Sequence, residues 1–488
     1  HKCIRTTLEA KVNKSPNRLK NAIVLNYNEG FSGVHAADGH TQRNCSFPVQ
    51  RFHHLHLFNC FPRTDDSELK CNVTVNFYFE NAAVAKVVLK RGKTQLFKNG
   101  SPMVYSGAID RIIGRPPPKT GDIVLVADGT EKPIAWGLYN SISMFQVRIM
   151  QLEEETSRDP SCALNMEKLL HSRIASAHDL RKRLSLPCLA TNTYRLVNSE
   201  GDRLSGLIVD VFGDLAVVAS SAAWVESYKS TIEALITRID EIKRVNWRPS
   251  YGMLKEEGLE LEPREATKTN HPEAIKVTEN GVHFMISVQG QKTGFYADQR
   301  ENRQFISSIS KGKKVLDLCC YSGGFSLNAA KGGAVEVTGV DTSAPAINLA
   351  TENAALNEIP HGKISFVKED VSEYLKGAIK RGESWDLVIL DPPKLAPSRK
   401  DMQKAVAMYR KLNALAMRVT GRGGMLMTCS CSGAMTQSGK FLGVVQEAAV
   451  MSERRISVLR QAGAASDHPV DTCYPEGGYL TNLLIRVM

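Results

Sequence analysis

The chain has 488 residues of ordinary globular composition, with no apolar run near the roughly 18 residues that a membrane-spanning helix requires. Its net charge of +11 favours a polyanionic partner such as nucleic acid, although a merely basic surface would give the same balance. Its 11 cysteines form an odd number without a repeating spacing, which predicts free thiols in a reducing compartment and argues against a disulfide framework.

Residues 1–82 are predicted to form a basic N-terminal extension. The first sixty positions hold eight Lys or Arg against three acids, and a His-rich stretch, RFHHLHLF, lies near their end. This composition predicts either a disordered segment or a targeting segment for a plastid or mitochondrion, with a cytoplasmic location as the alternative. Metal binding by the histidines is the less favoured interpretation, and we predict no metal site in the chain.

Two domains are predicted between this extension and the C-terminal half. Residues 83–150 contain short β-rich runs separated by Gly, Pro and Asp turns, with the triple proline at 116–118 in a loop. Residues 155–272 combine a helix over MEKLLHSRIASAHDLRKRL with several strands, which predicts a small α+β domain. The polar segment 256–272 is predicted to be a linker or an exposed loop.

From residue 273 the chain alternates strands and helices at the spacing of a doubly wound α/β domain. The predicted strands are KVLDLCC, VEVTGVD, ISFVKED, WDLVILD, GMLMTCS and NLLIRVM. This alternation predicts a parallel sheet with helices on both faces, a Rossmann-like arrangement.

Ligands of such folds bind beyond the carboxyl ends of the strands, and four successive predicted strands end in acids there. Gly323 and Gly324 allow a ligand to approach the backbone closely, and Asp341 is placed to bind a ribose diol. Acids would repel a pyrophosphate but attract sulfonium and amino groups, so we favour S-adenosylmethionine over a dinucleotide. The predicted cofactor-binding residues are Asp317, Cys319, Tyr321, Ser322, Gly323, Gly324, Asp341, Thr342, Asp370, Val371 and Asp391.

Several motifs together resemble those of the bacterial large-subunit ribosomal RNA cytosine-5 methyltransferases: GQKTGFYADQRENR, DLCCYSGGF, DPPK, TCSCSG and DHPV…TCYPEGGYL. The resemblance covers about residues 83–488. It implies an N-terminal PUA domain that binds RNA, a middle domain and a class I methyltransferase domain that uses S-adenosylmethionine. It also implies a last strand inserted antiparallel, with HPVDTCYPEGGYLTNLLIRVM forming a hairpin.

The sequence departs from the general pattern at two places. Cys319 and Tyr321 stand where most class I methyltransferases have glycines, although the resembled family also substitutes there. Residues 1–82 have no counterpart in the family.

Cytosine C5 is a poor nucleophile, and thiolate addition at C6 converts the ring into an enamine whose C5 can attack a methyl group. The stretch LMTCSCSG offers two thiols, in a C-x-C spacing that suits zinc poorly. Cys429 is in phase with Met425 and Met427 on one strand face, which indicates a core thiol, whereas Cys431 falls beyond the strand and matches the family's nucleophile. We therefore predict Cys431 as the catalytic nucleophile.

Asp391 is predicted as the second catalytic residue, hydrogen-bonded to N3 and the exocyclic amine of the cytosine. Its anion beside the sulfur would disfavour the thiolate, so it is not the obvious base for the thiol. The sequence does not name the group that removes the C5 proton, the target nucleotide or the oligomeric state.

Two other functions stay open at this level. A methyltransferase acting on another RNA atom, such as a guanine nitrogen, or on a small molecule would need no thiol. A ribosome-assembly factor could keep the fold without catalysis. Ribosomal RNA is the predicted partner in the favoured interpretation, and no membrane partner is expected.

Overall fold

The computed structural model describes residues 84–261, 274–287, 294–396 and 399–488. The predicted N-terminal extension and its targeting role lie outside these described residues. Within the described ranges, every helix is too short or too polar to cross a bilayer. The described residues belong to one compact unit that begins at Ala83, so the two predicted domain boundaries within it, at 150–155 and 272–273, stay predictions.

The N-terminal part of this unit is a six-stranded sheet in the order β2-β6-β5-β4-β1-β3. Alternate side chains of β1, β4 and β6, such as Val87, Val124 and Val147, point into one core that Phe97 of a short helix closes. The triple proline lies in the loop between β3 and β4, as predicted. The elements are β1 (Lys86–Leu89), α1 (Thr94–Lys98), β2 (Met103–Tyr105), β3 (Ile109–Ile113), β4 (Ile123–Ala127), β5 (Pro133–Tyr139) and β6 (Phe145–Leu152).

The middle part is a four-stranded sheet in the order β10-β9-β8-β7, with the predicted long helix beside it. This helix begins after Asn165, whose side chain accepts the Lys168 N–H, and ends in a basic turn that suits the negative end of the helix dipole. The elements are α2 (Glu153–Arg158), α3 (Met166–Arg183), β7 (Thr193–Asn198), β8 (Leu207–Phe212), β9 (Leu215–Ser220), α4 (Ala223–Ser227), α5 (Lys229–Ile236), β10 (Arg244–Pro249) and α6 (Tyr251–Glu256).

The predicted linker does not begin at residue 256. Glu257 is 6% exposed, and its carboxylate accepts hydrogen bonds from Arg148 at 2.9 Å and from Ser143 at 2.8 Å. Arg148 also donates to Ser205 of the middle part. A buried ion pair therefore joins the first sheet to the middle part, and the polar character of Glu257 reflects this pairing. Residues 262–272 of the predicted linker lie outside the described residues.

The C-terminal part contains a seven-stranded sheet in the order β15-β14-β13-β16-β17-β19-β18, preceded by a hairpin of β11 (Ala274–Glu279) and β12 (Val282–Ser287). The first five strands of this order are parallel, which confirms the doubly wound prediction. The strands are β13 (Lys314–Leu318), β14 (Glu336–Asp341), β15 (Ile364–Lys368), β16 (Trp385–Leu390), β17 (Thr420–Ser430), β18 (Ile456–Ala462) and β19 (Thr481–Val487).

Helices pack on both faces of this sheet and bury two apolar cores. Leu316 and Val388 of the central strands face one core, whereas Val315 and Leu387 face the other, as the alternation of side chains along a strand requires. The helices are α7 (Arg300–Ile309), α8 (Gly324–Lys331), α9 (Ala344–Leu356), α10 (Val371–Arg381), α11 (Met402–Val419), α12 (Gly433–Gln437) and α13 (Phe441–Met451).

The last strand is antiparallel to both neighbours, β17 and β18, as expected. The predicted hairpin within residues 468–488 is wrong, because residues 468–480 contain no strand and β19 instead pairs with β17 and β18. Strand β18 was not predicted, because this edge strand is largely exposed and shows no alternating apolar pattern.

The DHPV motif before the last strand ties the middle part to the C-terminal part. The buried carboxylate of Asp467 accepts two hydrogen bonds from Arg300 and one from the backbone N–H of Arg195. Burial opposes ionisation of this group, but His468 and Arg300 hold the pKa of Asp467 well below its usual range. The middle sheet is thereby fixed against the ligand edge of the large sheet.

Candidate active site

A cleft of about 1370 Å³ lies at the carboxyl ends of the parallel strands. The structure brings most of the predicted site residues together on its lining: Cys319, Tyr321, Ser322, Gly324, Asp341, Thr342, Asp370, Val371, Asp391 and Cys431. Asp317 and Gly323 belong to the same turn but do not line the cleft.

The turn after β13 explains the departure from the general glycine pattern. Cys319 and Tyr321 have φ angles of 63° and 46°, so both adopt the left-handed conformation that glycine favours. The backbone N–H groups of Cys319 and Cys320 both donate to the carbonyl of Val340, at 2.8 and 3.1 Å. These bonds hold a strained turn without glycine at those two positions.

Asp317 acts beneath this turn and not on the cleft surface. It is fully buried, and its Oδ2 accepts hydrogen bonds from the backbone N–H and the hydroxyl of Ser326, at 2.9 and 2.6 Å. Burial is the main cause that raises the pKa of Asp317 to about 7; the nearby Asp391 and Asp341 act in the same direction, and the hydrogen bonds from Ser326 oppose the shift. The side chain therefore fixes the start of α8 relative to β13.

Asp341, the last residue of β14, and Asp370, which lies between β15 and α10, present carboxylates to the cleft. Asp341 Oδ2 accepts the Tyr321 N–H at 3.0 Å, and its Oδ1 accepts the Ser343 N–H at 2.9 Å. Asp370 caps α10 through Oδ1. A carboxylate offers about four lone-pair positions, so both groups can accept further hydrogen bonds from hydroxyl or amino groups.

These residues suit S-adenosylmethionine better than an anionic cofactor. The acids can accept hydrogen bonds from a ribose diol and attract an amino group or a sulfonium, and they would repel a pyrophosphate. Gly324 adds to the fit, because a Cβ there would lie 3.1 Å from Arg303 Cδ and narrow the approach to the turn.

Cys431 and Asp391 lie side by side at the ends of the neighbouring parallel strands β17 and β16. The thiol donates to Asp391 Oδ1 at a distance of 3.6 Å from Sγ, and Gln299 donates to Asp391 Oδ2 at 3.2 Å. The amide of Gln299 is held in turn by Asn302, which donates to its Oε1 at 2.8 Å. Cys431 is partly exposed to the cleft.

The other nearby thiols have different surroundings. Cys429 is fully buried and accepts a hydrogen bond from Asn482 at 3.0 Å, and burial raises the pKa of its thiol well above the usual value. Burial also raises the pKa values of Cys319 and Cys320, and neighbouring carboxylates add to the effect. All three are therefore held as neutral thiols, which are poor nucleophiles.

Several other residues of the cleft had no predicted role. Asp298 and Gln299 lie in a short turn before α7, and the Tyr479 hydroxyl donates to Asp298 Oδ2 at 2.6 Å. The ring of Tyr296 meets that of Tyr321 edge-on, with 5.4 Å between centroids. These residues belong to the motif GQKTGFYADQRENR, which could have identified them. The motif precedes β13, however, whereas the predicted ligand site was placed at residues that follow the strands.

The middle part contributes a basic wall to the cleft. Arg195 and Arg248 both line it, and Arg195 forms two hydrogen bonds with Asp210, at 2.8 and 2.9 Å. The cleft is therefore acidic at the ends of the parallel strands, and the middle part adds to its lining the Arg248 guanidinium and the Arg195 guanidinium that is paired with Asp210.

Comparisons with known proteins agree with this architecture. Residues 87–152 match a PUA-like domain, and residues 262–455 match an S-adenosylmethionine-dependent methyltransferase domain. The chain is similar to a ribosomal RNA large subunit methyltransferase I from Photobacterium profundum, with 35% identity over 81% of this chain and 97% of that one. A relative of the same name from Aeromonas salmonicida is 35% identical over 82% of this chain and 98% of its own.

Solved structures show the same fold at lower identity. A methyltransferase structure complexed with S-adenosylhomocysteine, SMU.776, has a TM-score of 0.68 and 20% identity, covering 82% of this chain and 99% of that chain. A structure from Streptococcus mutans described as SAM-dependent has a TM-score of 0.66 with the same identity and coverage.

Proposed function

The chain belongs to the family of ribosomal RNA large subunit methyltransferases I and uses S-adenosylmethionine, and from that membership we propose that it forms 5-methylcytosine in large-subunit ribosomal RNA. The observation that carries the proposal is the pairing of Cys431 with Asp391 in the cleft. One partly exposed thiol lies 3.6 Å from a carboxylate, while the thiol two residues earlier is sealed in the core.

The proposed cofactor position follows the ends of the parallel strands. The turn of Cys319 to Gly324 lies at the centre, Asp341 and Asp370 bind the adenosine end, and Asp391 lies towards the reacting methyl group. Asp317 supports the turn from below and makes no direct contact. The bound cofactor supplies an electrophilic methyl group on a sulfonium sulfur.

Cys431 is the proposed nucleophile towards C6 of the cytosine. Formation of the S–C6 bond shifts the C5=C6 electron pair to C5, which takes the methyl group. Loss of the C5 proton to a base then restores the C5=C6 bond, and the thiolate leaves C6.

Asp391 links substrate binding to activation of the thiol. In the free protein its carboxylate accepts the thiol hydrogen, and an anion beside the sulfur disfavours the thiolate. A cytosine that presents its N3 and exocyclic amine to Asp391 becomes the new partner of this carboxylate, and the proton that leaves the Cys431 thiol is then shared between Asp391 and N3, which reduces the negative charge beside the sulfur. The thiolate is then favoured only when the target base is in place, and Gln299 keeps the carboxylate oriented.

The PUA-like sheet is proposed to bind RNA through its exposed basic side chains. Lys90, Lys93, Lys98 and Arg111 are all exposed on this part of the chain. Arg248 of the middle part adds a guanidinium to the cleft lining, whereas the charge of Arg195 is balanced by Asp210.

Bisulfite sequencing of large-subunit ribosomal RNA tests the product. RNA from cells that hold the protein is expected to show one cytosine protected from deamination, and this protection is lost when the protein is absent or carries Cys431→Ala. Separate sequencing of cytoplasmic and organellar ribosomal RNA also tests the predicted targeting. If the protein transfers a methyl group to the RNA but no cytosine becomes protected, the proposal is contradicted and another acceptor atom is favoured.

A further inference from the structure

We propose that Arg303 binds the carboxylate at the amino-acid end of S-adenosylmethionine. The inference rests on the cofactor position proposed above and does not depend on the cytosine product.

The guanidinium of Arg303 is held rigidly. The residue is 4% exposed, and its Nε and Nη2 donate to the two oxygens of Glu279 at 2.6 and 2.7 Å. Nη2 also donates to the Tyr296 carbonyl at 2.7 Å, and the guanidinium lies over the Phe295 ring, 4.9 Å from its centroid. Two of the three guanidinium nitrogens are therefore committed to the protein.

The third nitrogen, Nη1, faces the cofactor turn. It makes no hydrogen bond within the described residues, and a Cβ built on Gly324 would lie 3.2 Å from it. Arg303 and Gly324 both line the cleft. The N–H donors of Nη1 therefore lie beside Gly324, where a ligand can approach the backbone closely.

The strand order places one end of the cofactor here. Asp370 and Asp341 follow β15 and β14 on one side of β13, whereas Asp391 and Cys431 follow β16 and β17 on the other. In the proposed position, the adenosine end of S-adenosylmethionine lies at Asp341 and Asp370, and the methyl group points towards Asp391 and Cys431. The amino-acid end of the cofactor then lies at the turn after β13. Among the described residues, Arg303 places a guanidinium beside that turn, next to Gly324.

The charges around the turn make such a cation necessary. A cofactor carboxylate beside Asp341 and Asp391 would meet only repulsion from those groups. Glu279 is fully buried and balances the charge of Arg303, so the pair can exist before the cofactor binds. It also fixes the guanidinium plane, which reduces the entropy lost when Nη1 binds a carboxylate oxygen.

The test compares S-adenosylhomocysteine with its decarboxylated analogue, which lacks only the carboxylate. Calorimetry on the full chain is expected to show that the analogue binds about 10- to 100-fold more weakly, as for the loss of a hydrogen bond between charged groups. The double variant Glu279→Gln/Arg303→Gln is expected to abolish this preference. It should do so by weakening the binding of S-adenosylhomocysteine while the analogue binds as before.

The double variant removes both charges together, so no buried carboxylate is left unpaired. If it does not fold by circular dichroism, Arg303→Lys replaces it. A reduced preference is expected, because an ammonium lacks the planar fork with which the guanidinium binds Glu279 through two nitrogens and leaves the third for the cofactor. Lys394→Gln, which removes another cation that lines the cleft, is the matched control and should keep the full preference.

Equal affinity of the wild type for the two compounds would overturn the assignment. A preference that survives in the double variant, or that disappears with Lys394→Gln, would do the same. A wild type with no affinity for S-adenosylhomocysteine would overturn the cofactor position itself, and the assignment with it.

Discussion

The Sγ atom of Cys431 lies 3.6 Å from Oδ1 of Asp391, because the parallel strands β16 and β17 end next to each other at the ligand edge. Asp391 is also oriented from its other side by Gln299. This arrangement places a potential nucleophile and a group that can recognise a base edge within the reach of one pyrimidine ring.

Asp391→Asn is expected to slow methyl transfer by about 10²- to 10⁴-fold, the range typical of lost acid–base assistance. The amide cannot accept a proton shared with cytosine N3. In the free enzyme the same change removes an anion beside the sulfur, so alkylation of Cys431 by iodoacetamide should become faster. Single-turnover kinetics and peptide mass spectrometry measure the two effects, and slower alkylation would contradict the proposed role.

The buried carboxyl of Asp317 predicts a specific pH dependence of stability. Its pKa is raised from 3.8 to about 7, mainly by burial, so the folded protein holds this proton after the unfolded chain has lost it. This group therefore makes the protein less stable as the pH rises between those two values.

Asp317→Asn removes that titration. Relative to the wild type, the variant's free energy of unfolding should rise by up to about 1.4 kcal/mol per pH unit between pH 5 and pH 6.5. Urea denaturation at several pH values measures the difference, with Asp240→Asn at an exposed position as the control. If the difference in free energy of unfolding between Asp317→Asn and the wild type does not change with pH, Asp317 ionises normally.

Glu257 should contribute strongly to stability despite its place at the start of a polar segment. Glu257→Ala leaves Arg148 without its buried partner, and the expected loss is about 3–5 kcal/mol. Glu154→Ala breaks a pair with Arg158 whose side chains are largely exposed, so its cost should be about 0–1 kcal/mol. Chemical denaturation compares the two variants, and equal losses would contradict the structural role of Glu257.

The sequence predicted those parts of the site that follow from strand periodicity. Alternation along β17 puts Cys429 on the same core face as Met427, and the end of the strand at Ser430 leaves Cys431 beyond it. The acid at each strand end marks the ligand edge. Periodicity could not reveal Glu257 or Arg303, because each is buried by a partner distant in sequence, at Arg148 and Glu279. A polar residue carries no local sign that such a partner exists.

RNA affinity should depend on the basic side chains of the PUA-like sheet. The double variant Lys93→Gln/Lys98→Gln changes two exposed lysines around α1. Each lost phosphate contact is expected to reduce the slope of log affinity against log salt by about one.

Filter binding of a large-subunit ribosomal RNA fragment at several salt concentrations measures this slope. Lys376→Gln/Lys380→Gln on α10 makes an equal change in charge on another exposed surface and should have a smaller effect. If both double variants lower the slope equally, the dependence reflects the overall charge and the sheet has no special role.

The covalent step itself is tested by RNA that carries 5-fluorocytosine at the target position, because fluorine at C5 cannot leave as a proton does. The wild type should form a protein–RNA complex that survives denaturing electrophoresis. Cys431→Ala should abolish this complex, because it removes the one thiol of the pair that reaches the cleft. Cys429→Ala should retain it, provided that circular dichroism shows an intact fold after the loss of a buried side chain. If the complex still forms with Cys431→Ala and is lost with Cys429→Ala, the two thiols have the opposite roles. A wild type that methylates the unmodified RNA but never forms the complex would rule out the covalent mechanism, and acceptor atoms that need no thiol would then be favoured.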